Sequence, residues 1–163
     1  MQISCNIDGK AFLKAMEKIP DRMQQELKDV LKTAAQIIQA EATENHNYKD
    51  KSGQLTKSIQ FTVNPYDWTA QVYLDEGIAH YGPYQHEGTG RYGPRRREYL
   101  IKPRRKELLR WSSKGKFYSA KQVIHPGVKP DPFLYLAAQK KEKEVKAAVE
   151  KSINKVLKEA ELL

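Results

Sequence analysis

Cysteine and long apolar stretches are almost missing from this chain of 163 residues. Cys5 is the single cysteine, so an intramolecular disulfide is impossible and a zinc site built on cysteines is nearly so. No stretch approaches the ~18 apolar residues of a membrane-spanning helix. The opening segment, Met1–Asp8, lacks the basic start and apolar run of a secretory signal, so we expect the protein to be made and kept in a cytoplasm.

Residue patterns that carry catalysis are also missing. No serine or cysteine is flanked by the glycines of a nucleophile elbow, and the run Gly88–Gly90 lacks the lysine of a phosphate-binding loop. The sequence therefore predicts no enzyme and no cofactor. A metal-dependent hydrolase built on three histidines, His80, His86 and His125, is the weakest hypothesis. The spacing of the first two matches no ligand pair on one helix face, and the intervening Gly82-Pro83 argues against a helix.

Positive charge is concentrated in one segment of a chain whose composition, with 39% hydrophobic and 30% charged residues, is typical of a folded domain. Between Arg91 and Pro130 there are 13 Lys and Arg residues against only Glu98 and Glu107, whereas the whole chain has a net charge of +9. This segment must therefore face an acidic partner or remain fully hydrated.

Two long helices are predicted, one near each end of the chain. Apolar residues recur every three or four positions over Met23–Ile38, which predicts an amphipathic helix ending near Glu44–Asn47. A shorter helical pattern, Phe12–Ile19, precedes it. Late in the chain, Asp131 is suited to cap a helix and Pro132 to occupy its first position, and a long apolar stripe follows. These signals predict a C-terminal helix of several turns.

Between the helices, alternation with period two predicts strands. Ser58–Val63 and Thr69–Leu74 alternate on either side of the turn-forming Asn64–Asp67, which indicates an antiparallel hairpin. We therefore expect an α+β fold in which an antiparallel β-sheet of about four strands packs against the long N-terminal helix and the long C-terminal helix. The other predicted features are a strand from near Ala79 to Gly88, strands at Tyr99–Lys102 and Lys116–Ile124, and an exposed loop at Ser112–Gly115.

The basic segment allows three interpretations from its residues alone. Guanidinium groups and aromatic rings together are typical of nucleic-acid surfaces, but the same residues are favoured at protein interfaces. A solvated hairpin whose charges protect an exposed edge is the third interpretation. The three have about equal support from composition. The candidate contact residues are Arg95, Arg96, Arg97, Arg104 and Arg105, which are interleaved with Tyr92, Tyr99, Trp111 and Tyr118.

Three further segments, Lys51–Ile59, Tyr81–Gly90 and His125–Leu134, follow one another in order. The first is similar to (Thr/Ser)-Gly-x-Leu-x-x-Ser-Ile, the second to Tyr-Ala-x-Tyr-Val-(Glu/His)-x-Gly-Thr, and the third to Pro-Gly-x-x-Pro-x-Pro-Phe-Leu. As an ordered set they resemble the phage tail-completion, or head-to-tail joining, family. The resemblance implies structural roles for Gly53, Leu55, Tyr81, Gly88, Thr89, Pro126, Gly127, Pro132 and Phe133.

The chain length and the lack of a dividing linker predict one domain over residues 1–163. Compared with the family, this domain has a longer and more basic insertion at about 91–121. Gly82 and Gln85 also depart from the usual alanine and aliphatic residue. A protein of this kind would be made in the host bacterial cytoplasm and reside in the neck or tail of a phage or prophage particle. It would form a homo-oligomeric ring in the assembled particle and contact other neck and tail proteins, with no membrane partner. In such a ring the basic insertion could line or rim a channel through which DNA passes. The alternative is a nucleic-acid-binding module that uses the basic insertion.

Overall fold

The computed structural model describes residues 4–8 and 21–159. The helical pattern at Phe12–Ile19 lies outside these residues. By its internal contacts the chain divides into a first unit, Met1–Pro83 with Pro132–Leu163, and a second unit, Tyr84–Asp131. The expectation of one domain over residues 1–163 stays a prediction.

The described elements alternate in the order of an α+β fold, which confirms the predicted class. Long helices lie near both ends, and the paired strands are antiparallel in three small sheets. In chain order the elements are β1 (Ser4–Asp8), α1 (Asp21–Glu44), α2 (Gln54–Lys57), β2 (Ile59–Asn64), β3 (Thr69–Leu74), α3 (Gly82–Glu87), a 3-10 turn (Gly90–Tyr92), β4 (Tyr99–Ile101), β5 (Leu109–Ser113), β6 (Lys116–Ala120), β7 (Val123–His125) and α4 (Phe133–Glu159).

The first unit is built on a three-stranded antiparallel sheet with β3 in the centre, between β1 and β2. The predicted hairpin is confirmed, and its register places Phe61 opposite Val72. Alternation along β3 buries Ala70, Val72 and Leu74 while the residues between them are half-buried. Helix α1 packs against β2 and β3, so this apolar face lies in the core.

Helices α1 and α4 pack against each other and bury the apolar stripes that the sequence predicts. Two ion pairs show their antiparallel direction: Lys140 Nζ lies 2.6 Å from Glu41 Oε1, and Lys155 Nζ lies 3.1 Å from Glu26 Oε2. The residues near the start of α4 therefore pair with the end of α1, and those near its end pair with the start. Phe133, the first residue of α4, is fully buried in the same core.

The predicted strand from Ala79 to Gly88 is wrong. The Ala79 N–H donates to the Asp75 carbonyl at 3.0 Å in a turn, and Gly82–Glu87 form the short helix α3. The expectation that Gly82-Pro83 excludes a helix is wrong too, because proline is tolerated in the first helical turn, where its missing N–H has no partner to lose. Gly88 follows the end of α3 with φ +77°, the left-handed conformation common after a helix.

Candidate binding surface in the second unit

The second unit consists mainly of two small antiparallel sheets, β4 with β7 and β5 with β6. Strand β5 was not predicted, and the strand predicted at Lys116–Ile124 is divided into β6 and β7. The β5–β6 hairpin turns at Lys114 and Gly115, which have φ +49° and +76°. Two consecutive positive φ angles are typical of the mirror-image turns that fit the twist of a hairpin. Residues Ser112–Gly115 are exposed as predicted, but they form the end of the β5–β6 hairpin and not a separate loop.

No apolar side chain of the second unit is buried. All the buried apolar residues in the described part of the chain belong to the first unit. In the second unit, which the structure describes throughout, the buried residues are His86, Gly88, Gly93 and Asp131. The unit therefore has no hydrophobic core of its own, although its strands are rich in apolar residues.

Apolar side chains of these strands are paired with one another on the surface. Leu100 lies opposite Ile124 in the β4–β7 sheet, and the two are 48% and 65% exposed. Trp111 lies opposite Tyr118 in the β5–β6 hairpin, with ring centroids 5.8 Å apart and planes 19° from parallel. Phe117 is 79% exposed. Exposed apolar residues grouped in this way mark a binding surface more often than an ordinary solvated one.

The second and third sequence motifs meet at the base of the second unit. The Thr89 N–H donates to the Val128 carbonyl at 2.9 Å, and the Val128 N–H donates to the Thr89 hydroxyl at 2.9 Å. The Arg91 N–H donates to the Pro126 carbonyl at 2.7 Å. We call this pairing of Thr89–Arg91 with Pro126–Val128 the glycine clasp, since a glycine lies at the centre of each segment. It joins the two ends of the basic segment.

Only glycine fits at the centre of the clasp. Gly127 has φ +104°, and a Cβ added to it would collide with the carbonyl oxygen of Thr89 and lie 2.8 Å from the Cα of Gly90. Gly90 has φ +63°, and its own Cβ would lie 2.7 Å from the Cα of Gly127. The two backbones therefore approach more closely than any side chain allows. The sequence identified Gly127 as a motif residue, but it did not indicate that Gly127 packs on Gly90.

The basic side chains of the second unit are all exposed. Each of the 13 Lys and Arg residues between Arg91 and Pro130 lies on the surface. Arg91 Nη2 donates to Glu98 Oε1 at 2.7 Å, and Lys129 Nζ lies 5.9 Å from the centre of the Tyr92 ring. Within the described part of the chain, none of the five predicted contact arginines forms an ion pair. These five are Arg95, Arg96, Arg97, Arg104 and Arg105.

Three of these arginines lie in a fixed turn, Arg95–Arg97, which we call the arginine loop. The Arg96 N–H donates to the Gly93 carbonyl at 3.0 Å, and the Arg97 N–H donates to the Gly90 carbonyl at 3.1 Å. Arg96 has φ +48°, a conformation that residues other than glycine seldom adopt. The loop therefore stays in an unusual backbone conformation that its hydrogen bonds maintain.

The first motif forms a capped turn in the first unit. Gly53 has φ +71° and precedes α2, while Leu55 is buried in the core. Asp50, which the sequence did not indicate, accepts hydrogen bonds at 2.8 Å from the N–H groups of Gly53 and Thr56. Burial raises the pKa of the Asp50 carboxyl, but the hydrogen bonds from Thr56 and Gly53 outweigh it and lower the pKa below its ordinary value. Tyr81, from the second motif, is half-buried against the same core.

Histidines do not form a metal centre in the described part of the chain, where no group of three or more His, Cys, Asp or Glu side chains is placed to hold an ion. His86 is fully buried, with Nδ1 3.2 Å from Glu87 Oε1. Burial lowers its pKa from the ordinary value of 6.5, although Glu87 and Asp131 act in the opposite direction. His86 is therefore a buried side chain that is neutral at pH 7.

Residues 10–92, half of the chain, match the model of the protein family described as "Bacteriophage HK97-gp10, putative tail-component". The chain belongs to this family. The region that matches the HK97-gp10 family includes the first two motifs and ends at Tyr92, just before the arginine loop. No curated protein and no solved structure shows significant similarity to the chain.

Membership of the HK97-gp10 family supports a structural role in a phage tail and agrees with the family that the motifs resemble. The third motif and most of the second unit lie beyond the matched residues. Of the helices that the structure describes, none combines the length and the apolar character needed to cross a membrane.

Proposed function

We propose that this chain is a structural protein of a tailed phage or prophage, and that it completes the tail or joins the tail to the head as one subunit of a homo-oligomeric ring. Family membership supports the tail role. The observation that carries the assembly role is the second unit, whose apolar strands are exposed and not packed in a core. The proposed action is binding to further copies and to other neck and tail proteins in the particle, without catalysis.

The second unit has the physical properties of a surface that is completed by a partner. A two-stranded sheet without a buried face is marginally stable in water. Within the described residues β5 and β6 pair only with each other, so each has an open edge whose backbone groups can pair with another chain. A ring requires two different surfaces on each subunit, one for each neighbour, and the second unit supplies one of them.

Disruption of the gene in a phage that carries it tests this proposal. We expect electron microscopy of the lysate to show separate heads and tails, or tails of incorrect length, and we expect wild-type protein supplied from a plasmid to restore complete particles. Complete, infectious particles made without the protein would overturn the proposal.

A paired variant tests the second unit itself. Leu100→Ser with Ile124→Ser removes one exposed apolar pair, and because neither residue is in the core, we expect the purified variant to keep its melting temperature within a few degrees. It should nevertheless fail to restore complete particles. The matched control is Tyr66→Ser, which removes an apolar side chain that is 87% exposed in the first unit and should restore them. Full restoration by the paired variant would exclude this sheet as the contact.

A further inference from the structure

We propose that the exposed arginines of the second unit bind the phosphodiester backbone of nucleic acid. The contact residues are the arginine loop, Arg95–Arg97, together with Arg104 and Arg105. This inference goes beyond the tail role and does not rest on it, because purified protein and bare nucleic acid are sufficient to test it.

The charge of the chain supports an anionic ligand at this place. The second unit contains 13 Lys and Arg residues and four Asp and Glu residues, whereas the first unit contains 16 of each kind. The net charge of +9 therefore belongs entirely to the second unit. Like charges at this density repel one another and attract a polyanion.

The four acidic residues of the second unit do not neutralise its arginines. Glu98 is held by Arg91 at 2.7 Å, and Glu87 lies 3.2 Å from the His86 ring. Asp131 is buried, and Glu107 is exposed and adjacent to a further lysine, Lys106. Within the part of the chain that the structure describes, the positive charge of the arginine loop is therefore not compensated by an ion pair.

Basic and apolar side chains occupy different parts of the unit. Of the 13 basic residues, only Arg110 and Lys116 lie within strands, and the other 11 lie in loops and turns. The strands carry the exposed apolar pairs described above. The proposed protein contacts and the proposed nucleic-acid contacts therefore use different residues.

A phosphate backbone suits the arginine loop better than an acidic protein does. Three adjacent arginines need three anionic groups nearby, so an acidic protein would need a carboxylate placed close to each one. Duplex DNA carries one negative charge per about 1.7 Å of its axis and meets such a loop in any register. Guanidinium groups also bind phosphate oxygens in a bidentate fashion, which lysine does not. The hydrogen-bonded loop is already ordered, which lowers the entropic cost of binding.

Fluorescence anisotropy with a labelled mixed-sequence duplex of about 25 base pairs measures the binding, and the salt dependence counts the phosphates contacted. We expect wild-type protein to bind with a dissociation constant near micromolar and with log affinity falling linearly against log salt. The triple variant R95Q/R96Q/R97Q should lower the slope by about 2.7, at 0.9 for each lost phosphate contact. When the salt concentration rises from about 50 to 200 mM, the affinity of wild type should therefore fall by a factor about 40 times larger than the factor for the variant.

The matched control removes the same charge from the first unit. Lys143→Gln, Lys151→Gln and Lys158→Gln change three exposed lysines of α4 and should leave the slope unchanged. Equal effects of the two triple variants would overturn the assignment to the arginine loop. A wild-type protein that does not bind the duplex at about 50 mM salt would overturn the proposal altogether.

Two other ligands test whether the protein recognises the phosphate backbone or negative charge in general. A single strand of the same length shares the backbone, and binding to it supports the proposal with a smaller slope of about 0.7 per phosphate. Poly-glutamate supplies carboxylates only. If poly-glutamate binds as tightly as the duplex and competes with it fully, the surface is an acceptor for acidic proteins and the nucleic-acid proposal is wrong.

Discussion

The glycine clasp provides the sharpest test of how the second unit is held together. Gly127→Ala places a methyl group where the carbonyl oxygen of Thr89 lies. Since the obstacle is backbone and not the end of a flexible side chain, the two segments must separate. We therefore expect local opening of the clasp, while the core of the first unit remains folded.

The expected free-energy cost of opening follows from the hydrogen bonds that cross the clasp. Separation removes the bonds from the Thr89 and Arg91 N–H groups and the bond from the Val128 N–H. At about 0.5 to 1.5 kcal/mol each, these are worth roughly 1.5 to 4.5 kcal/mol together. That loss corresponds to about 10- to 1,600-fold faster exchange of the three amide hydrogens with solvent.

Hydrogen exchange followed by mass spectrometry or NMR measures this opening residue by residue. Gly115→Ala is the control, because Gly115 also has a positive φ, +76°, but an added Cβ meets nothing within 4 Å. The control should cost about 1 to 2 kcal/mol at the hairpin tip and leave the clasp amides unchanged. If the clasp amides of the Gly127→Ala protein exchange at the wild-type rate, close backbone approach does not hold the unit closed and our interpretation is refuted.

Three further predictions concern single side chains. Asp50→Ala should lower the free energy of unfolding in urea by about 1 to 2 kcal/mol through loss of the cap, and no loss would contradict the capping role. Burial raises the pKa of Asp50, but the hydrogen bond from Thr56 helps to lower it overall. This stabilisation should therefore be present above pH 3.8 and lost as the pH falls through the lower pKa that Asp50 has in the folded protein. Burial lowers the pKa of His86 below 6.5. As the pH falls, the unfolded chain is therefore protonated at this histidine before the folded protein is, which destabilises the fold. The melting temperature should fall as the pH decreases below about 6.5, and a His86→Gln protein with the same pH dependence would contradict this. Lys140→Met should cost about 1 kcal/mol, because Lys140 is 62% exposed while its partner Glu41 is only 7% exposed. A double-mutant cycle with Glu41→Gln measures the coupling, and strict additivity would exclude it.

The elements that the sequence predicts correctly have local signals. Helix α1 has its apolar stripe in consecutive turns, and Asn64–Asp67 marks the turn between β2 and β3. Strand β5 was missed because Leu109 and Trp111 are its only apolar residues, which are too few to establish a period-two pattern. Helix α3 was missed because Pro83 occupies a first turn, where it does no harm.

The candidate site could be predicted only in part, because the sequence shows local features and does not show contacts between distant residues. The arginine loop is visible in the composition, because Arg95–Arg97 are adjacent in sequence. The clasp is not, since it pairs Thr89 with Val128 across 39 positions and depends on two glycines meeting. Asp50 also escaped prediction, because its hydrogen bonds reach Thr56, six residues further along, around a loop with no periodic pattern.

A surface unit without a core can be altered with little effect on folding. Leu100, Phe117 and Ile124 contribute almost nothing to the packed interior, so exchanging them for other residues should change stability by less than about 0.5 kcal/mol. Recognition can therefore diverge while the scaffold stays the same. The two ends of the segment meet at Gly90 and Gly127, so a different insert grafted between them would be presented on the same base. The fold thus separates the part of the chain that must be preserved from the part that can be redesigned for a new partner.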